Sequence, residues 1–583
     1  MQLIAKTIKG QKYWYIVEKG RKNGVVTNVK TIYVGKADRL AQMLADPGAT
    51  EAAFPSAFQS REMGASAALW AEALALELVE TIDRVCHARR TDAAVSYGAL
   101  FVTAAIQRAI APRPLKSSEQ LRTWYEGCGL SDLLPVESCG LDARRVDDAL
   151  SQLRAPEIDR LEQEIMATVV RVHHLGLETL AFDTTNFDSY AGASNPSRLL
   201  KRGHAKSKRA NLRVLGLGLL VTADDGVPLL SFVYPGNRAD VRAFRSFLRR
   251  LKQRQRKLGV GKDATVVCDG GNLSKQVVQE LTRDKVHFVA RLPTGHAPEA
   301  DALATADLLP MSGRLASEGR ARKLQTAVYG KKRTVVAVYS EPMHKSQLPG
   351  LERDRRKAIE SLAALQARLK RQREGKGNKK HWLTRDSLRK RVQDALTRQY
   401  MSDLFVVATG GTDAAPTLQY QFDDQAWHHL ETHRLGRTAI LTDRDEWSCE
   451  QLVEGLREQS HVEDAFRQLK DPEWASAVPL RHRTDAMLRV HAFISVLSLL
   501  LSRLLVRRLM RAGVKATVCE ALWQLSELRL ARIHYGRAAS PLLRKLAKER
   551  AVPPAPTPRQ LKLVRALKLG KALKLGPTST GQN

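Results

Sequence analysis

"LRVLGLGLLVTADDGVPLLSFVYPG" (residues 212–236) consists of two β-rich apolar runs joined by Asp225-Gly226. An Asp-Gly pair supplies the positive φ that a tight hairpin turn demands, so the stretch reads as two antiparallel strands. Upstream, "LETLAFD" (177–183) is an apolar run of strand length that ends in Asp183. Downstream, "ADVRAFRSFLRRLKQRQRKLG" (239–259) has the apolar spacing of an amphipathic helix, and "ATVVCDGG" (264–271) is a buried strand ending in Asp269. A helix near 273–282 and a strand "HFVARL" (287–292) follow. The predicted order is strand, hairpin of two strands, helix, strand, helix, strand.

That order is the order of an RNase H-like α/β layer, in which the first and fourth strands lie side by side. Asp183 and Asp269 would then face each other at neighbouring strand ends. A third acid lies far downstream in "HVEDAFRQLKDP" (461–472). At about 100° per residue this stretch puts Val462, Ala465, Phe466 and Leu469 on one apolar stripe, bordered by Glu463, Arg467 and Lys470. "SCEQ" (448–451) offers a Ser-x-x-Gln capping box at the start of the helix, and Pro472 ends it.

Hard cations such as Mg²⁺ take oxygen ligands, and phosphate-cleaving sites bind two of them about 3.5–4 Å apart. Such a pair needs carboxylates converging from several elements. Asp183 and Asp269 on strand ends with Glu463 on a helix meet that need for two Mg²⁺ ions, with Mn²⁺ as a substitute. Arg467 and Lys470, one and two helical turns past the glutamate, are placed to grip phosphates near the scissile bond. Singly, each acid has a plainer reading: a strand-end Asp is a turn former or helix cap, and a Glu with Arg at i+4 is a surface ion pair. Their joint occurrence, in order and in these element types, points to metal.

The chain carries 94 Lys and Arg against 61 Asp and Glu, a formal charge of +33. A field of that sign favours polyanions, of which nucleic acid is the commonest. With no lipidation motif or signal peptide legible, a membrane surface is not the expected partner. The long apolar run "VHAFISVLSLLLSRLLV" (490–506) is interrupted by His491 and Arg503 and reads as a buried core helix. On that helix, His491 reads as core packing or a structural hydrogen bond rather than catalysis. Six scattered cysteines without a CxxC pair argue against zinc or a disulfide framework and fit a reducing cytoplasm.

Six segments follow from composition and pattern: 1–60, a β-rich segment; 61–165, a helical module and the first candidate for binding the DNA ends; 166–300, the first part of the core; 301–447, strands around the basic helical stretch 351–400; 448–510, the second part of the core with the Glu463 helix; and 511–583, a helix and basic tail. The tail, with its tandem "RALKLG KALKLG" (565–576), is expected to be poorly ordered without nucleic acid. The basic cluster Lys201, Arg202, Lys206, Lys208 and Arg209 reads as a DNA contact or as a solvated loop. The stretch 351–400 is either a solvated helix pair or a DNA-gripping arm. Trp382, Trp427 and Trp447 lie between the second and third acids, with core packing as their default role and stacking on a flipped base as the alternative.

"AFDTTNF", "VVCDGGNLS" and "HVEDAFRQLK" resemble the three acidic motifs of DDE insertion-sequence transposases, in the branch whose third motif reads Tyr-x2-Arg-x3-Glu-x6-Lys. "KRGHAKSKRANLRV" (201–214) and "DDGVPLLSFVYPGNRAD" (224–240) resemble the landmarks between them. The similarity covers roughly residues 175–300 and 430–505. It implies an α/β fold: an RNase H-like catalytic core interrupted by a β-rich insertion, preceded by a small β segment and a helical domain. The insertion would fill the about 190 residues between Asp269 and Glu463. The resemblance also implies binding to the inverted ends of an insertion sequence in double-stranded DNA, Mg²⁺-dependent cleavage and 3′-OH transfer into target DNA. A homodimer would form in the synaptic complex, in a cytoplasmic, nucleoid-associated setting. Two positions depart from the motif: Gln459 stands at the family's Arg and Leu456 at its Tyr; Asn211 also stands where an Asp is common. An inactive or domesticated DNA-binding relative, or an RNase H-like structure-specific nuclease, would share many of these features.

Overall fold

The hairpin at 212–236 turns where the sequence places it, with Gly226 at φ +64°. A computed structural model describes residues 2–22, 25–38, 55–86, 95–113, 115, 117–134, 141–192, 194–203, 205–376, 381–535 and 550–575. Two compact units divide the chain: His174–Phe466, and Met1–His173 together with Arg467–Asn583.

The unit His174–Phe466 is built on one nine-stranded sheet. Numbered from the start of this unit, its first strands are β1 (Thr179–Ser189), β2 (Arg213–Thr222) and β3 (Pro228–Pro235). Helix α1 (Asp240–Leu258) leads to β4 (Thr265–Cys268), and α2 (Lys275–Asp284) to β5 (His287–Leu292). β1 to β3 pair antiparallel, while β4 joins β1 in parallel and β5 joins β4 in parallel. The spatial order is therefore third, second, first, fourth, fifth, and the first and fourth strands are neighbours as the sequence predicts. Phe182 of β1 packs against Phe244 and Phe247 of α1, with ring centroids 4.8 and 4.1 Å away. This aromatic layer fixes α1 to one face of the sheet.

Beyond β5 the same sheet continues. β6 (Leu309–Pro310), β7 (Gly319–Val328) and β8 (Lys331–Ser340) precede a long excursion. The chain returns as β11 (Arg437–Thr442), which inserts between β8 and β5. The excursion holds α3 (Glu341–Arg373), α4 (Arg385–Ala395) and the hairpin of β9 (Phe405–Gly411) with β10 (Pro416–Phe422). It has its own core, because Ala358, Leu362, Leu365 and Leu369 recur at helical spacing along α3. The strands read within 301–447 thus divide between the main sheet and this hairpin. Helices α5 (Cys449–Arg457) and α6 (Gln459–Lys470) follow β11.

In the other unit, Gln2–Ile8, Gln11–Lys22 and Val25–Lys36 form an antiparallel sheet. Helices Met63–Ala75, Leu78–Val85, Tyr97–Ile110, Ser118–Gly127, Ala143–Ser151 and Ala155–His173 fill the region read as helical. The Asp485–Arg511 helix is long and apolar enough to cross a membrane, yet 83% of its most apolar window is buried inside the fold. One expectation fails here, and one pairing goes beyond it. Pro55–Glu62 pairs with Arg529–Tyr535, a contact no local pattern signals. The tail also folds, in part: Pro558–Ala566 is a capped helix, and Leu563, Leu567, Leu569 and Leu573 are buried. The leucines of the tandem repeat find an apolar surface, which low complexity alone conceals. Residues 536–549 and 576–583 of that tail lie outside the described residues.

Candidate active site

β1 and β4 run parallel with Phe182 opposite Cys268, so the next residues, Asp183 and Asp269, are brought side by side. Alternation along the strands puts both acids on the face that carries Val267, away from the aromatic layer of α1. Val267 packs in one cluster with Leu452 and Val453 of α5, so this is the face on which α5 docks. The chain leaves β4 through Gly270, where a β-carbon would lie 2.9 Å from the Arg291 carbonyl oxygen. Only glycine allows the turn to pass that close to β5 while Asp269 stays at the strand end.

The two acids sit in different surroundings. The Asp183 side chain is 16% exposed and that of Asp269 46%. Burial pushes the Asp183 carboxyl up to about 6, and the carboxylates of Asp269 and Asp240 add to the rise. Lys206 opposes it, with Nζ 3.8 Å from Asp183 Oδ2. Arg291 Nε lies 3.9 Å from Asp269 Oδ1. Crowded hard oxygen donors, with charge on one of them held back by its neighbours, fit a divalent cation, whose arrival would favour the ionised form. Asp183 and Asp269 are the residues that would hold it.

Glu463 is exposed on α6, whose opposite face buries Val462, Ala465, Phe466 and Leu469 as predicted. The Ser448 capping box forms, and one non-helical residue, Glu458, interrupts the expected continuous helix between α5 and α6. Among the described residues, no three His, Cys, Asp or Glu side chains stand close enough to share a metal ion. The structure brings Asp183 and Asp269 together; it does not gather Glu463 with them at ligand distance. Arg467 and Lys470 are exposed on α6, one and two turns beyond Glu463. Leu456 packs against the cluster of Val267, Val289 and Ile440, and Gln459 is buried, so the two motif departures are interior positions.

The loop after β1 is tied to that strand's end. Ser207 Oγ donates to Asp188 at 2.9 Å, Arg209 to the Tyr190 hydroxyl at 3.1 Å, and the Lys206 ammonium to the Thr184 carbonyl. This tether turns Lys206 from a generic basic residue into the counter-charge of Asp183. Arg202, Lys208 and Arg209 remain exposed, while Lys201 is half-buried in a bridge to Val214. Trp427 belongs to the excursion's core beneath Arg355, and Trp447 packs on the α5 cluster beside Arg444. Trp382 is half-buried. His491 is 4% exposed, and its Nε2 bonds the Ala477 carbonyl at 2.7 Å, a structural role.

Sequence reading missed Asp240 and Tyr234. The Tyr234 hydroxyl donates to Asp240 Oδ1 at 3.3 Å, and the Asp240 carboxylate adds to the negative charge around Asp183. Their signal is the alternation "GLG" at 216–218: Gly216 lies opposite Tyr234, and a β-carbon there would fall 2.3 Å from the ring. The missing side chain lets the tyrosine cross β2 toward β1.

The family described as "Transposase DDE domain" matches residues 167–501. No curated protein matches the chain. A solved structure, the cryo-EM structure of a piggyBac transposase synaptic complex with hairpin DNA, aligns over 87% of this chain and 85% of that chain. The two are 10% identical, and the TM-score is 0.36.

Proposed function

The chain belongs to the DDE transposase family, and from that premise we propose that it is a DNA transposase that binds the inverted ends of its insertion sequence, cleaves them by Mg²⁺-dependent phosphodiester hydrolysis and joins the 3′-OH ends to target DNA by transesterification. The observation that carries this reading is the parallel register of β1 and β4, which sets Asp183 beside Asp269. The third-second-first-fourth-fifth strand order supports an RNase H-like core. Two Mg²⁺ ions, when bound, would activate the attacking oxygen and stabilise the leaving 3′ oxygen. Asp183 and Asp269 would hold and orient that pair, and Glu463 would complete the ligand set. Lys206 keeps Asp183 partly neutralised until then. Arg467 and Lys470 grip phosphates, with Arg202, Lys208 and Arg209 along the flanking DNA and Lys201 at the loop's base. A homodimer would bring two ends together.

A plasmid carrying the element ends, incubated with the full chain and Mg²⁺, should be nicked at the ends and then yield joined products. Asp183→Ala, Asp269→Ala and Glu463→Ala should each abolish both while leaving DNA binding. Nicking that survives all three substitutions sinks the assignment. Binding without any cutting by the wild type would identify a domesticated relative, and cutting without joining would identify a structure-specific nuclease.

A further inference from the structure

In the unit of Met1–His173 with Arg467–Asn583, the Tyr97–Ile110 helix, the start of the Asp485–Arg511 helix and the segment before it enclose a cavity of about 440 Å³. One wall is aliphatic, formed by Leu100, Ala104, Leu150, Val490 and Ile494. The other carries Arg108, Arg481 and His482, with Asp147 as its one acid. Arg108 is the unusual member. It is half-buried, its one hydrogen bond is a long 3.5 Å contact to the Pro112 carbonyl, and among the described residues it has no carboxylate partner. The charge that acts on it is another cation, Arg481; burial and Arg481 together push it down to about 10. Asp147 acts on His482 instead.

Two polar atoms sealed behind its wall are also unsatisfied. His491 spends Nε2–H on the Ala477 carbonyl, which leaves Nδ1 a buried acceptor with no partner. Thr103 Oγ1 is likewise buried without a partner. Both residues line the cavity. A half-buried cation without a carboxylate partner, facing a cavity beside a second arginine, is costly to hold and fits an anionic ligand that completes it. The volume lies within the range of small-molecule sites.

We propose that this cavity binds a nucleoside phosphate. Its phosphate sits on Arg108 and Arg481, and its base lies against the aliphatic wall. The ligand is a free nucleotide or a nucleotide of a DNA strand. The inference stands independently of the Asp183 site, since neither aspartate takes part.

The test uses the full chain, thermal unfolding and calorimetric titration in moderate salt. The probes are deoxynucleoside 5′-monophosphates, the matching nucleosides, inorganic phosphate and a 5′-phosphorylated oligonucleotide. The monophosphates should raise the melting temperature with increasing concentration, and the nucleosides should not. Arg108→Met removes the unpaired cation at similar volume, so it should raise the melting temperature of the free protein while weakening nucleotide binding at least tenfold. Arg481→Ala, at an exposed position, should also weaken binding and serves if the first variant does not fold. An oligonucleotide that displaces the mononucleotide identifies a DNA strand as the source; independent binding of both identifies a free nucleotide. Binding of inorganic phosphate alone, no binding of any nucleotide at millimolar concentration, or Arg108→Met lowering the melting temperature with binding intact would each overturn the proposal.

Discussion

Glu72 is fully buried, with Arg508 Nε at 3.0 Å and His173 Nε2 at 3.7 Å, and burial pushes its carboxyl from 4.5 up to about 7 despite the arginine. A carboxyl whose folded pKa is raised stabilises the fold fully below its ordinary value and loses that contribution as pH climbs through the folded one. Stability of this unit should therefore fall between about pH 4.5 and 7, by an amount on the order of 3 kcal/mol. Glu72→Gln should flatten the profile of urea midpoints over that range; an unchanged profile would contradict the account. Gly218 offers a steric counterpart, since a β-carbon there would lie 2.2 Å from the Phe232 ring. Gly218→Ala should lower stability by about 1–3 kcal/mol in denaturant titration. At this scale the sequence was legible where a residue's role is local: Asp225-Gly226 turns, Ser448 caps. It was opaque for Asp240, because an acid in a first helical turn already has an ordinary electrostatic reason to be there.

Among elements, α5 and α6 show what periodicity can and cannot reveal. The apolar stripe Val462, Ala465, Phe466 and Leu469 was readable because burial along a helix repeats at 3.6 residues. The break at Glu458 was not, since helical spacing continues through it. Leu452 is fully buried where α5 docks on the sheet. Leu452→Ala should cost about 2–5 kcal/mol and, by loosening the support of the segment leading to Glu463, reduce end nicking at temperatures where the fold persists. Full nicking activity in that variant would separate the docking of α5 from catalysis. Lys470→Ala changes an exposed residue; it should weaken cleavage of end DNA while the unfolding midpoint stays within experimental scatter.

For the whole molecule, the excess of 94 basic over 61 acidic residues sets the long-range field. Affinity for end DNA should fall linearly on a log–log salt plot, and the slope should lose about one unit for each phosphate-gripping cation removed. A flat plot would remove the electrostatic basis of DNA binding. Topology from β1 to β5 was legible because its connections are short and local in sequence. The continuation of that sheet through β11 was not, since Arg437–Thr442 pairs with strands about 100 and about 150 residues upstream and no motif records the pairing. The division into two units was hidden for the same reason.

The pairing of Pro55–Glu62 with Arg529–Tyr535 also sets an order for biosynthesis. A ribosome must deliver more than 460 intervening residues before the earlier strand meets its partner, whereas His174–Phe466 has emerged in full well before that point. Translation that stops between Glu463 and Arg529 would therefore release a polypeptide that carries all three acids yet lacks the strand that pairs with Pro55–Glu62.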